Sequence, residues 1–292
     1  MSPLAATGPN AEQITFWNEG AAPKWIRYQG ELDEQLRSLG TRAMDRAAIR
    51  AGERLLDVGC GCGATTIELA RRVGPRGTVV GVDISSPMLE HAEGRVRQAG
   101  IANVEFRNAD VQTHAFTPRD FDAAYSRFGV MFFADPARAF TNLRGALRPG
   151  GRLAFVCWQG LDRNPWMGVP MAAAAREVAF PPPAGPEAPG PFSFADPERV
   201  RRILGEAGFA DVTFDAHEEM LTPGGASSVE EAADFLVLMG PTGAALRQDP
   251  SATPRVTAAV AAALKPFHTD AGVRMASAAW IVGAVNRPGA IR

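Results

Sequence analysis

An α/β fold, a mostly parallel sheet with helices on both faces, is what this sequence predicts, and three observations carry the prediction. From Arg54 onward, short apolar strands alternate with helical stretches. The first of those strands runs straight into the turn Gly59-Cys60-Gly61-Cys62-Gly63 and then into a helix. Asp57 and Asp83 stand at the ends of the first two strands, and Asp110 follows the third. Alternation of this kind builds parallel sheets, because a parallel neighbour needs a crossover that a helix supplies.

Taken in order, residues 1–10 read as a disordered leader. From Glu12 to Ile49 the pattern is helical, with Trp17, Trp25, Tyr28, Leu32, Leu36 and Leu39 recurring near the helical period. Strand one is Arg54–Val58, followed by a helix over Ala64–Arg72. Strand two, Thr78–Val82, comes after a Gly-Pro-Arg-Gly turn. Ser86-Pro87 supplies an N-cap and a first-turn proline to the next helix, which Gly100 stops. Strands three and four are Val104–Arg107 and Phe121–Ser126. Asp135-Pro136 caps a helix ending near Leu147, and Pro149-Gly150-Gly151 turns the chain into strand five, Arg152–Val156.

The second half is less regular. Residues 181–191 are proline-rich and read as a linker or a lid over the ligand edge of the sheet. Asp196-Pro197-Glu198 starts a helix that Gly208 ends, and strand six is Val212–His217. Two helices, over Val229–Leu246 and Pro254–Phe267, form a cap before a final strand at Val273–Val285.

Composition sets bounds on function. Of 292 residues, 46% are hydrophobic and 21% charged, as in a soluble globular chain with a sizeable core. A net charge of −2 gives no electrostatic basis for binding nucleic acid or an anionic membrane. Three cysteines exclude a disulfide framework and suit a reducing cytoplasm. Cys60 and Cys62 lack the second pair of ligands that zinc requires, so no metal is expected. The N-terminus has no signal-peptide pattern, and no apolar run reaches membrane-spanning length, which points to a cytoplasmic protein without membrane insertion.

The glycines alone fit two ligands, since Gly59-x-Gly61-x-x-Ala64 also matches a dinucleotide turn. The acids separate the two. Asp57 would oppose a pyrophosphate but suits a ligand carrying an ammonium group. Asp83 is placed to accept both hydroxyls of a ribose, and Asp110 to accept a hydrogen bond from an adenine amino group. Three acids at three successive strand ends suit a cationic adenosyl ligand.

Here the chain resembles the class I S-adenosylmethionine-dependent methyltransferases, in the type 11 group related to quinone-biosynthesis enzymes. The resemblance rests on Leu56-Asp57-Val58-Gly59-Cys60-Gly61-Cys62-Gly63, Val82-Asp83-Ile84-Ser85-Ser86-Pro87-Met88-Leu89, Ala109-Asp110, Phe121-Asp122 with Ser126-Arg127-Phe128, and Leu147-Arg148-Pro149-Gly150-Gly151. It implies a Rossmann-like class I methyltransferase fold of seven strands, the seventh antiparallel between strands five and six. It further implies three regions: an N-terminal helical segment (1–50) covering the cofactor, a cofactor-binding core (51–160), and residues 161–292 completing the sheet, with the lid and a cap at about 225–270.

For S-adenosylmethionine, the resemblance implies Gly59 and Gly61 beside the methionine moiety, Asp57 supporting its ammonium, and Ser126 contributing backbone there. Asp83 would take the ribose, Ile84 and Met88 the adenine face, and Asp110 with Val111 the adenine edge. Trp25 and Trp17 either fold an N-terminal helix over the cofactor, the role taken for Trp25, or pack as core aromatics, the reading favoured for Trp17. A methyl-acceptor chamber beyond strands four and five is expected to draw on Arg127, Phe128, Trp158, Trp166 and Phe192. The tryptophans alternatively pack the lid onto the sheet. No acid–histidine signature marks a base among His91, His114, His217 and His268, His91 being expected at the surface. The expected function is methyl transfer to a small planar or hydrophobic metabolite (quinone-like, polyketide or terpenoid). The alternative is a protein that binds the cofactor without transferring methyl.

Overall fold

The computed structural model describes residues 3–180, 185 and 187–287. Its sheet is built from β1 (Arg54–Val58), β2 (Thr78–Asp83), β3 (Val104–Asn108), β4 (Phe121–Arg127), β5 (Leu147–Trp158), β6 (Ala210–Leu221) and β7 (Met275–Val285). The order is β3-β2-β1-β4-β5-β7-β6, with β7 antiparallel to both neighbours and the other pairings parallel. This is the expected topology. β1 and β2 read as continuous apolar runs because a parallel strand covered on both faces has no solvent side to alternate toward.

Helices α4 (Ala64–Val73) and α5 (Ser86–Gln98) lead from β1 through β2 to β3, while α6 (Pro136–Ala146) leads from β4 to β5 in the opposite direction along the sheet. Right-handed crossovers therefore put α6 on the other face, where α8 (Pro197–Glu206) packs against it. The reversal falls between adjacent β1 and β4, and it opens a crevice beyond their C-terminal ends.

The N-terminal segment differs from expectation at two places. Residues 3–10 are not a loose leader: Leu4 N donates to Asn108 Oδ1 at 2.6 Å, and Asn10 is only 3% exposed. Helices α1 (Ala11–Thr15), α2 (Ala22–Arg27) and α3 (Gln29–Arg46) follow, with a π-helical turn at Phe16–Ala21 after α1. That turn carries Asn18, whose Oδ1 accepts Ser86 N at 3.0 Å and whose Nδ2 donates to Ile84 O at 3.0 Å. The start of α5 is thus capped by a side chain from another segment. Ser85, the residue at the cap position, sends its hydroxyl to Trp17 O instead.

The cap also differs. Three helices separate β6 from β7: α9 (Val229–Leu238), α10 (Gly240–Gln248) and α11 (Thr253–Leu264), followed by a two-stranded ribbon, His268–Thr269 with Gly272–Val273. The single helix expected over Val229–Leu246 breaks because Pro241 has no N–H to donate back and its ring would strike the carbonyl of Val237. Helix α7 (Pro165–Ala174) packs on α9, α10 and α11 and so joins the cap. Of the proline-rich stretch 181–191, residues 181–184 and 186 lie outside the described residues. Pro189, Gly190 and Pro191 reach the edge of the crevice.

Candidate functional site

Beyond the ends of β1, β2 and β4 lies a cavity of about 400 Å³, roofed by the N-terminal helices and the cap. At its base, the turn after β1 is tied to β2 by Gly59 N and Cys60 N, which donate to Val82 O at 2.8 and 3.2 Å. Gly59 has φ +66°, and a Cβ there would lie 2.8 Å from Gly129 Cα, so bare backbone is needed to bring β1 against the loop after β4. Gly61, φ +52°, faces open space, with Met88 Sδ at 4.0 Å its one near neighbour.

Asp83 locks this turn to the next one. Its Oδ2 accepts Gly61 N at 2.8 Å and its Oδ1 accepts Ser85 N at 2.9 Å. Burial pushes its carboxyl above the ordinary carboxylate range, against those backbone donors. Each oxygen keeps a further lone pair, and the residue lines the cavity. Asp110 lines it too, its Oδ1 accepting Asn10 Nδ2 at 2.8 Å and Gln112 N at 2.9 Å. Ile84, Met88 and Val111 form apolar wall between these two acids.

Asp57 and Ser126 are placed differently from expectation, for neither lies on the cavity wall. Asp57, 0% exposed, points into the first turn of α4, where Thr65 and Thr66 hydroxyls donate to its Oδ2 at 2.7 Å each. Its Oδ1 has no partner among the described residues. Burial raises its carboxyl to about 6, opposed by the two threonine hydroxyls. Ser126 spends its hydroxyl on structure, donating to Val58 O at 2.7 Å and accepting Gly129 N at 3.1 Å. Its strand neighbours Arg127 and Phe128 reach the cavity in its place.

Aromatic side chains from the N-terminal segment close the cavity over this base. Trp17 meets Trp25 edge-on at 5.6 Å and Phe132 at 5.0 Å, and all three line the wall. Trp17 is therefore a wall residue as much as a packing one. Met88 sits with Ala22 and Cys62 beneath the two tryptophans.

On the opposite side, Phe128 stacks on Trp158 with centroids 4.1 Å apart and planes 16° from parallel, and Trp158 lies 5.1 Å from Trp166. All three line the cavity, joined there by Met167 of α7 and Phe235 of α9. Arg127 reaches the wall and pairs at 3.1 Å with Asp33, a single carboxylate that it shares with Arg95 at 2.9 Å. Phe192 is not on the wall.

None of the four histidines lines the cavity. His91, expected at the surface, is half-buried with Nε2 unpartnered among the described residues. His217 contacts Glu219 at 3.0 Å, and His268 contacts Ser227 O at 3.2 Å. The thiols of Cys60 and Cys62 are buried, and burial pushes both up, Cys62 to about 12. Sequence reasoning missed Asn10, Lys24, Gln35 and Arg247 on the wall. Asn10 has a legible sequence signal, a helix-cap residue before α1, yet its side chain makes no cap and reaches Asp110 instead. The others lie on helical stretches with no motif to mark them.

The donor set fits an adenosyl sulfonium. A glycine cradle opens onto one end of the cavity, two acids with spare acceptor capacity follow it, and an orphaned carboxylate oxygen lies behind it.

Comparison with known proteins agrees. Residues 55–151 match a family model described as "Methyltransferase domain". The chain is 32% identical over 198 residues to nocamycin O-methyltransferase of Saccharothrix syringae, spanning 64% of this chain and 69% of that one. It is 36% identical over 118 residues to aklanonic acid methyltransferase DauC of Streptomyces sp. (strain C5), 40% of this chain and 54% of that one, so about half of that relative's length is matched. Among solved structures, the YcgJ protein from Bacillus subtilis superposes with TM-score 0.58 at 16% identity, covering 87% of this chain and 99% of that one, a likeness of fold. Glycine turn, strand-end acids, sheet order and relatives agree: the chain belongs to the class I S-adenosylmethionine-dependent methyltransferases, in the type 11 group.

Proposed function

We propose that this protein transfers a methyl group to a small planar or hydrophobic metabolite seated against Phe128, Trp158 and Trp166. The observation that carries the reading is the two-ended character of one cavity: polar cradle and acids at the strand ends, stacked aromatics on the far side. Flat aromatic walls favour flat acceptors through offset and edge contacts. The relatives' names, one an aklanonic acid methyltransferase and one a nocamycin O-methyltransferase, point the same way and favour transfer over a purely cofactor-holding role. A net charge of −2 fits a small-molecule partner better than nucleic acid, and three buried free cysteines fit the cytoplasm.

When bound, S-adenosylmethionine supplies a methyl carbon activated by sulfonium charge, leaving a neutral thioether. The chain's residues therefore need no oxyanion hole. Gly59 and Gly61 let backbone approach the amino-acid end, Asp83 accepts ribose hydroxyls with its spare lone pairs, and Asp110 with Val111 reads the adenine edge. Met88 and Ile84 pack on the ring, and Trp25 shields the site from water. Asp57 acts from behind the turn, its buried charge favouring an ammonium group. Positioning is the main catalytic device of such a wall, and well-oriented reactants gain on the order of 7–11 kcal/mol from it. With no histidine on the wall, an acceptor with an acidic or activated nucleophile suits the site best.

Calorimetry with S-adenosylhomocysteine tests the cofactor half, and no binding at high micromolar concentration overturns it. A screen of planar acceptors with methyl-labelled cofactor tests the transfer; binding without any labelled product supports the cofactor-holding alternative.

A further inference from the structure

Among the described residues, two cations on the cavity wall have no acidic partner. Lys24, on α2, donates from Nζ to Leu238 O at 3.1 Å and so reaches from the N-terminal segment to the end of α9. Arg247, on α10, lies with its guanidinium carbon 5.4 Å from the ring centroid of Phe16 and donates to Gly243 O at 3.1 Å. Both border the cavity, and among the described residues neither forms an ion pair. Arg127 on the same wall pairs with Asp33, and neither wall acid bonds Lys24 or Arg247: Asp83 takes backbone N–H groups, and Asp110 takes Asn10 and Gln112.

Arg247 Nε also lies 4.0 Å from where a Cβ on Gly20 would stand, four residues before Lys24, so the two cations border one stretch of the wall. Burial and the charge of Arg247 hold the Lys24 ammonium below its ordinary range. Capping the last carbonyl of α9 explains why a donor stands at residue 24 but not why a second cation stands beside it. Arg247 is exposed and Lys24 half-buried, so both heads are open to an anion that enters the cavity, with no acid among the described residues to displace. Lys24 retains two N–H donors and Arg247 four after their carbonyl bonds, enough to satisfy one two-oxygen group, with the planar guanidinium suited to bidentate contact.

We propose that Lys24 and Arg247 form an oxyanion subsite at the seam between the N-terminal helices and the cap, which holds a carboxylate carried by the methyl acceptor. The proposal rests on the methyltransferase reading of the same cavity. Two cations repel a sulfonium, so the reacting methyl is best held away from them, toward the acceptor seat at Phe128 and Trp158. The carboxylate is then a handle that orients the acceptor, and the reacting atom lies elsewhere on the molecule. The amino-acid carboxylate of the cofactor offers the same chemistry, and the test separates the two sources.

The probes are anthraquinone-2-carboxylate and its neutral carboxamide, titrated into the full-length protein already saturated with S-adenosylhomocysteine. The acid should bind at least tenfold more tightly than the amide. That preference should vanish in the K24Q/R247Q double variant and weaken in each single variant, while amide binding and S-adenosylhomocysteine affinity hold. Thermal unfolding checks that the variants fold, and if the double variant does not, the single variants decide. Equal affinity of the two probes in the wild type, no binding of either, or a preference that survives in the variants overturns the proposal. So does loss of S-adenosylhomocysteine affinity in the variants without an acid preference in the wild type, which assigns the cations to the cofactor's carboxylate. A wild-type protein that does not bind S-adenosylhomocysteine at all instead overturns the methyltransferase reading itself.

Discussion

Asn10 Nδ2 donates to Asp110 Oδ1 at 2.8 Å, while Asn10 Oδ1 accepts Ala134 N at 2.9 Å. One buried amide thus clamps the first segment of the chain onto the acid after β3 and onto the loop after β4. Asn10→Ala would remove one partner from the buried Asp110 carboxylate, at a cost of about 1–3 kcal/mol, and release the part-buried Ala134 N–H to water at less cost. The expected result is a lowered unfolding midpoint together with weaker S-adenosylhomocysteine binding. A stability loss with unchanged affinity would separate the clamp from the binding site.

Gly59 and Gly61 should respond differently to the same substitution. Gly59→Ala drives a Cβ to 2.8 Å from Gly129 Cα at φ +66°, a backbone clash with nothing flexible to yield. It should cost several kcal/mol of stability, about the scale of overpacking plus backbone strain. Gly61→Ala, at φ +52° with open space before it, bears mainly the conformational cost, about 1 kcal/mol. Its methyl group fills ligand space, so it should lose cofactor affinity out of proportion to stability. Denaturant unfolding beside calorimetry on both variants gives the comparison; equal stability losses would contradict it.

Strand positions were legible because they depend on local sequence, whereas the place of the seventh strand between the fifth and sixth came from the family resemblance. β1, β2 and β4 are apolar runs bounded by Gly, Pro or acids, and the crossover rule then orders them. The wall residues were legible where they sit in those turns, as Gly61, Asp83 and Asp110 do, and where a large aromatic stood out, as Trp158 and Trp166 do. Lys24 and Arg247 come from helices more than 200 residues apart, and only the folding of the cap over the N-terminal segment brings them to one cavity. The π-turn at Phe16–Ala21 escaped for another reason: its sequence has ordinary helical spacing, and its register is set by Asn18 bonding to Ile84 and Ser86. Asp57 stands at the end of β1 as expected, but strand pleating turns its side chain toward Thr65 and Thr66 and off the wall.

The buried Asp57 predicts a pH dependence. Its carboxyl is raised to about 6 in the fold from 3.8, so between those values the folded state binds the extra proton. Stability from this group is full below the lower value and falls as pH rises to about 6, by about 3 kcal/mol in all. The D57N variant lacks this titration. Its unfolding free energy relative to wild type should therefore be higher at pH 7 than at pH 4 by up to that amount. Cofactor binding should run the other way, because an ammonium nearby favours the ionised form. S-adenosylhomocysteine affinity should tighten from pH 5 to pH 7 in wild type and much less in D57N. A flat wild-type profile would detach Asp57 from the ligand.

Phe128 has φ +62°, which for an aromatic residue costs of order 1–3 kcal/mol, and its ring lies stacked at 4.1 Å on Trp158. Such strain persists where the surroundings hold it, and the stack with Trp158, backed by Trp166, supplies the hold. If this stack is the floor under a planar acceptor, Trp158→Leu removes one aromatic contact worth about 0.5–1.5 kcal/mol, or about two- to twelvefold in affinity. The loss should appear as a raised KM for planar acceptors with kcat little changed, and Trp158→Phe should restore most of it. S-adenosylhomocysteine affinity should stay within about twofold in both variants, since the end proposed for the adenosyl group, at Asp83 and Asp110, is the other side of the cavity. A Trp158→Leu variant that weakened cofactor and acceptor equally would instead make the stack a packing element joining α7 to the sheet.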